Sequence, residues 1–124
     1  MDTNALIWLD IEPGSLSKEA RRLLRRAHIA VAAITWFEMA LLVRGGRVHP
    51  KEPIRAWLGR IQQQVRSVPI SPAIAATAAG LEGGFPEDPF DRIIYATAVE
   101  HGWQLVTKDQ RLLDYPADRT IAVW

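Results

Sequence analysis

The sequence predicts an α/β fold, a doubly wound parallel sheet of about five short strands flanked by helices, in a single domain over residues 1–124. Three observations carry this expectation. Strand-like and helix-like stretches alternate along the whole chain without repeats, as βαβ units do. Residues 29–34, Ile-Ala-Val-Ala-Ala-Ile, are continuously apolar, which suits a strand covered by helices on both faces. Acidic residues follow short apolar stretches at four places: Asp2, Glu38, the pair Asp88 and Asp91, and Asp109. With parallel strands, these acids lie at the carboxyl edge of one sheet, where open α/β folds hold their ligands.

In chain order, residues 1–3 read as a strand end, 4–9 as a short apolar turn or helix, and 10–15, with Pro13-Gly14, as a loop. Ser17 caps a helix to about Ala27, with Ala20, Leu23, Leu24 and Ala27 inward, Leu16 as a staple, and Arg21, Arg22, Arg25 and Arg26 outward. Those arginines repel at i,i+4, and a solvated face is the ordinary reading of them. After the strand at 29–34, Thr35 and Glu38 read as a capping box that opens a helix ending at Gly45-Gly46. Ile54, Trp57, Leu58, Ile61 and Val65 recur at helical spacing, which predicts an amphipathic helix with Trp57 in the core or an interface. Val68-Pro69-Ile70 is a short strand, and Ser71-Pro72 starts an alanine-rich helix to Ala79. Residues 81–87 lead into a helix from Asp88 to about His101, ended by Gly102; residues 104–107 and 120–123 read as strands around a short segment holding Asp109.

Composition narrows the chemistry. With 48% hydrophobic residues in 124, the chain can bury a core without staples. No cysteine is present, which removes disulfides, thiolate metal sites and a cysteine nucleophile, and suits a reducing cytosol. The longest apolar run, residues 29–37, is about half of the ~20 residues a bilayer span needs, and no basic leader precedes an apolar segment; a cytoplasmic protein without membrane contact is expected. The net charge of +1 divides unevenly, with eleven Lys/Arg against six Asp/Glu over residues 1–66 and four against eight over 67–124. Acids that hold cations beside arginines that meet phosphates would suit a nuclease acting on a polyanion.

In Asp88-Pro89-Phe90-Asp91-Arg92, a Pro at the first helical position puts Asp88 at N-cap and Asp91 at N3. Two acids there are also ordinary helix-start chemistry. Their recurrence at other strand ends favours a site. His28, His49 and His101 have no ligand spacing, and no phosphate-binding glycine loop or nucleophile elbow occurs. Clustered carboxylates raise one another's pKa values unless a cation lies among them, and an all-oxygen set selects Mg²⁺ or Mn²⁺.

Asp2-Thr3-Asn4, Glu38 in Thr35-Trp36-Phe37-Glu38-Met39-Ala40, the Asp88-Pro89-Phe90-Asp91-Arg92 motif with Ile94-Tyr95-Ala96-Thr97-Ala98, and Thr107-Lys108-Asp109 stand in this order over nearly the whole chain. In these pieces the sequence resembles PIN-domain ribonucleases, and among them toxins of VapC type from toxin–antitoxin pairs. The resemblance implies a PIN-like fold in which Asp2, Glu38, Asp91 and Asp109 are the catalytic, metal-binding acids, with Asp88 as an auxiliary ligand or helix cap. It implies Thr3 and Thr107 as supporting hydroxyls beside Asn4, and Arg92 as a structural or phosphate-facing arginine. It further implies Mg²⁺ or Mn²⁺ as cofactor, RNA as substrate held through Arg44, Arg47 and the arginine-rich helix, a homodimer, and an antitoxin that blocks the acidic pocket after docking near Trp36, Trp57 and the helix from Pro53.

Two other readings stay open at this level. A haloacid-dehalogenase-type phosphoryl-transfer enzyme also has an early Asp, but needs a second acid two positions later, where this chain has Asn4. A non-catalytic PIN-like module that binds RNA or protein would be marked by lost acids, and none is lost. Chains of the resembled family also carry several apolar residues before the first Asp, whereas only Met1 precedes Asp2 here. A sheet weak at its centre is therefore expected, either begun a few codons upstream or reliant on a partner.

Overall fold

The computed structural model describes residues 1–117 and 120–124. Four strands are present among them: β1 (Ala30–Ala32), β2 (Arg66–Val68), β3 (Leu105–Val106) and β4 (Ala122–Val123). They form two parallel pairs, with Ala30, Val31 and Ala32 opposite Arg66, Ser67 and Val68, and Leu105 and Val106 opposite Ala122 and Val123. The expected single sheet of about five strands is thus divided at its centre. Met1 and Asp2 bridge the division: the Met1 ammonium donates to the Ala30 carbonyl at 2.8 Å and the Asp2 N–H to the Val106 carbonyl at 3.0 Å. The spatial order is β2, β1, the Met1–Asp2 segment, β3 and β4.

Below that segment lies a cavity of about 490 Å³, walled by Ile29 to Ala32 on one side and Gln104 to Val106 on the other, with Leu24 and Ile94 also lining it. Burial of the Met1 ammonium lowers its pKa to about 6, against the pull of Asp2, so a charged amine is poorly suited to this place.

Among the described residues seven α-helices surround the strands: α1 (Thr3–Ile11), α2 (Lys18–Leu24), α3 (Ile34–Arg44), α4 (Ile54–Gln62), α5 (Pro72–Ala79), α6 (Pro89–His101) and α7 (Gln110–Leu113). None is long and apolar enough to cross a membrane. The local signals for α6 hold. Asp88 Oδ1 accepts from the Phe90 and Asp91 N–H groups at 2.8 and 3.3 Å, Pro89 takes the first position, and Gly102 closes the helix at φ 67. Ile94 to Ala98 are all buried, the apolar face against β1 and the small-residue helix α5.

Elsewhere the third dimension changes the reading. Asp2 caps a helix α1, accepting from the Ala5 N–H at 2.7 Å, and the helix runs longer at both ends than the short turn or helix expected over residues 4–9. Thr35 and Glu38 do not form a capping box, because α3 begins at Ile34 after Ala33; Glu38 instead accepts a hydrogen bond from the Thr3 hydroxyl. β2 lies two residues earlier than Val68-Pro69-Ile70, since Pro69 has no N–H for a ladder. Helix α2 stops at Leu24 short of Ala27, at the turn where its arginines crowd. Trp57 is buried with Leu6, Ile7, Met39 and Ile61, and its Nε1 donates to Asp10 Oδ2 at 2.7 Å. Arg60 locks the same carboxylate at 2.7 Å and reaches Glu52. Trp57 is therefore core.

The divided sheet makes a prediction. Prepending three to five apolar residues of strand character to Met1 converts the buried amine to an amide and gives the facing edges of β1 and β3 their partners, each buried unpaired group costing ~1–3 kcal/mol. Thermal unfolding followed by circular dichroism is expected to show a midpoint several degrees higher, at about 4–8 °C per kcal/mol gained. No change would mean that water or side chains already satisfy those edges.

Candidate active site

The sequence-predicted acids sit where helices begin at the carboxyl ends of the strands, the end opposite the cavity. Asp2 is the cap of α1, Asp88 and Asp91 stand at the start of α6, and Asp109 caps α7 directly after β3. Glu38 comes from the second turn of α3. Each helix start offers N–H donors and a positive dipole end, which is how a fold can hold several anions together.

Two threonines position the acids. Thr3 gives its hydroxyl proton to Glu38 Oε2. The Thr107 hydroxyl bonds Asp2 and accepts from the Asp109 N–H at 3.0 Å, so one side chain ties the first acid of the chain to the last. Asn4 is exposed on the first turn of α1. Arg44 and Arg47 are exposed after Glu38, and the Arg47 charge counters part of the rise in the Glu38 pKa. Arg92 does not face the acids. Its guanidinium donates to the Ala78 and Leu81 carbonyls at 3.0 Å, pairs with Glu87 and lies over the Phe85 ring, so it pins the α5–α6 connection and is structural.

Electrostatics show how tightly the acids are held. Burial, then repulsion from Asp88, Asp109 and Glu38, lifts the Asp91 carboxyl from 3.8 to about 6. Burial also raises Glu38, with Asp88 and Asp2 adding to it, and raises Asp2 against its hydrogen bonds. Asp109 moves the other way, held down by Arg111. Sequence reasoning missed Arg111. Its guanidinium bonds Asp109 and reaches Asp91 Oδ2 at 3.3 Å, and the only linear signal was a cation two residues after an acid.

Among the described residues no three carboxylates or imidazoles converge into a ready cage for a metal ion. The donor set nevertheless fits a hard divalent cation. It is all oxygen and anionic, burial and then neighbouring carboxylates raise the pKa of Asp91 and Glu38, and a cationic guanidinium already bridges Asp91 and Asp109. The Thr35 hydroxyl, fully buried one turn before Glu38, has no hydrogen-bond partner among the described residues.

The family model for the PIN domain matches residues 1–118. The chain belongs to the PIN-domain family. It is 46% identical over 125 aligned positions, spanning all of this chain and 96% of the relative, to Ribonuclease VapC22 of Mycobacterium tuberculosis (strain ATCC 25618 / H37Rv). Among solved structures it matches a chain of a toxin-antitoxin complex from Klebsiella pneumoniae with a TM-score of 0.66 and 25% identity, over 99% of this chain and 93% of that one. Membership removes the haloacid-dehalogenase alternative. In this PIN domain the position two after Asp2 is an exposed amide, and the other acids come from α3, α6 and the start of α7.

The raised Asp91 pKa has a definite sign. Ionising Asp91 works against the folded metal-free protein, so its stabilising contribution is complete below about pH 4 and lost as pH rises through about 6. In chelator, Asp91→Asn is therefore expected to melt above the parent protein at about pH 7.5 and level with it near pH 4. A variant less stable than the parent at the higher pH would show Asp91 to be chiefly a helix-start stabiliser.

Proposed function

We propose that this PIN domain is a metal-dependent ribonuclease that acts as the toxin of a toxin–antitoxin pair. The observation that carries the reading is the setting of Asp2, Glu38, Asp91 and Asp109 at or near helix starts beyond the carboxyl ends of the strands, in a chain 46% identical to Ribonuclease VapC22. Asp2, Glu38, Asp91 and Asp109 hold Mg²⁺ or Mn²⁺, and Asp88, exposed at the cap of α6, assists from the rim. When bound, the cation supplies a water of lowered pKa and offsets charge on the phosphate. The chain's own groups do the rest. Thr3 and Thr107 fix the carboxylates, the helix starts of α1, α6 and α7 offset their charge, and Arg44, Arg47 and the arginine face of α2 hold RNA phosphates, which gives affinity without sequence readout. Phosphodiester hydrolysis needs no side-chain nucleophile here, and the full acid set stands against a purely binding module.

An antitoxin is the partner this reading requires. Support comes from α3, whose Phe37 and Leu41 are 57% and 37% exposed, with Phe37 near Phe90 of α6 at 6.1 Å between ring centroids. This apolar patch shares α3 and α6 with Glu38 and Asp91, and α3 also carries Trp36, part of the docking region the resemblance implies. The resemblance also implies a homodimer, for which sedimentation of the purified chain is the test.

Purified protein free of antitoxin is expected to cleave structured RNA in Mg²⁺ and not in excess chelator. Glu38→Gln and Asp91→Asn, which keep hydrogen-bond acceptors, should lower cleavage at least roughly a hundred-fold while folding normally. Equal cleavage with and without chelator would overturn the reading. For the partner, Phe37→Asp is expected to weaken antitoxin binding at least roughly ten-fold without lowering cleavage of free RNA, as loss of an apolar interface anchor does. Unchanged affinity would place the antitoxin elsewhere.

A further inference from the structure

Arg111 is the second residue of α7, and its side chain is 63% exposed, while the carboxylates it binds, Asp91 and Asp109, are 22% and 26% exposed. Its Nε lies 3.1 and 3.2 Å from the two oxygens of Asp109. Its Nη2 stands between two acids, 2.5 Å from Asp109 Oδ2 and 3.3 Å from Asp91 Oδ2. The Arg111 backbone N–H takes Asp109 Oδ1 as well, at 2.9 Å. A local pair with Asp109 would not need the reach to Asp91, which is 20 residues away in the chain. Among the described residues no other basic side chain forms an ion pair with either acid.

We propose that Arg111 is an internal counterion that competes with the divalent cation for Asp91 and Asp109, so that the metal-free pocket is closed by its own guanidinium and metal binding displaces it. The inference rests on the metal-site reading above. Arg111 already engages both oxygens of Asp109 and one of Asp91, so a cation taking the same two carboxylates must remove those contacts. A planar guanidinium is also wider than a metal ion, which accounts for acids that are close enough to repel yet do not close into a cage. Competition of this kind is a reciprocal coupling between two cations for one site, and such couplings are typically 5–150-fold.

The experiment is Mn²⁺ binding to Arg111→Gln and to the parent, measured by calorimetry at one pH and ionic strength. The variant is expected to bind roughly ten-fold more tightly, and to melt lower than the parent without metal but not in saturating Mn²⁺. In the parent, Mg²⁺ titration is expected to move the Arg111 Nε–H resonance from a bonded toward a free shift, a reading independent of the variant. Equal or weaker Mn²⁺ affinity in Arg111→Gln, or an Arg111 signal indifferent to Mg²⁺, overturns the inference while leaving the metal site standing. Absence of Mn²⁺ binding to both proteins overturns the metal-site reading and this inference with it. A merely structural arginine would give weaker binding on removal.

Discussion

The two-residue joint at Met1 and Asp2 governs this molecule. Its two main-chain hydrogen bonds join the β1–β2 pair to the β3–β4 pair, and the same Asp2 caps α1, takes a bond from Thr107 and supplies a carboxylate to the candidate site. Sheet continuity, a helix start and site charge therefore depend on one buried residue. Burial disfavours its ionised form, and the donors around it compensate. Replacing Asp2 would disturb packing and chemistry together, so a change there is a poor probe of either alone, whereas Glu38 and Asp91 separate the two.

The pocket shows how one fold gives like groups unlike environments. Asp91 and Glu38 are pushed up by burial and by other carboxylates, while Asp109, two residues from Arg111, is held down. The helix dipoles that attract these acids act within the first turn and leave their mutual repulsion unresolved. That unresolved repulsion is what a cation relieves, which ties the electrostatics of the metal-free protein to the activity proposed for it.

Much of this was legible in the chain because its cause is local. Asp88, Pro89 and Gly102 fix α6 by chemistry confined to a few residues, as Ser71 and Pro72 fix α5. What was not legible depends on contacts between distant segments. The capping box failed because α3 begins one residue before Thr35, which leaves Glu38 to a partner 35 residues away, Thr3. Arg92 follows Asp91 in sequence, yet on a helix consecutive side chains point about 100° apart, so it faces α5. Strands of two residues carry almost no periodicity, and their extent is set by whatever edge lies beside them. Arg111 became visible only when α6 and α7 were brought together.

The acids span the chain from its second residue to Asp109, and the first and last are tied by a single hydroxyl on Thr107. During synthesis, Asp2, Glu38 and Asp91 emerge before the segment that ties Asp2 to Asp109. A nascent chain still lacking that segment has carboxylates but no assembled pocket. Assembly of the pocket therefore depends on long-range contacts and waits for the segment around Thr107 and Asp109.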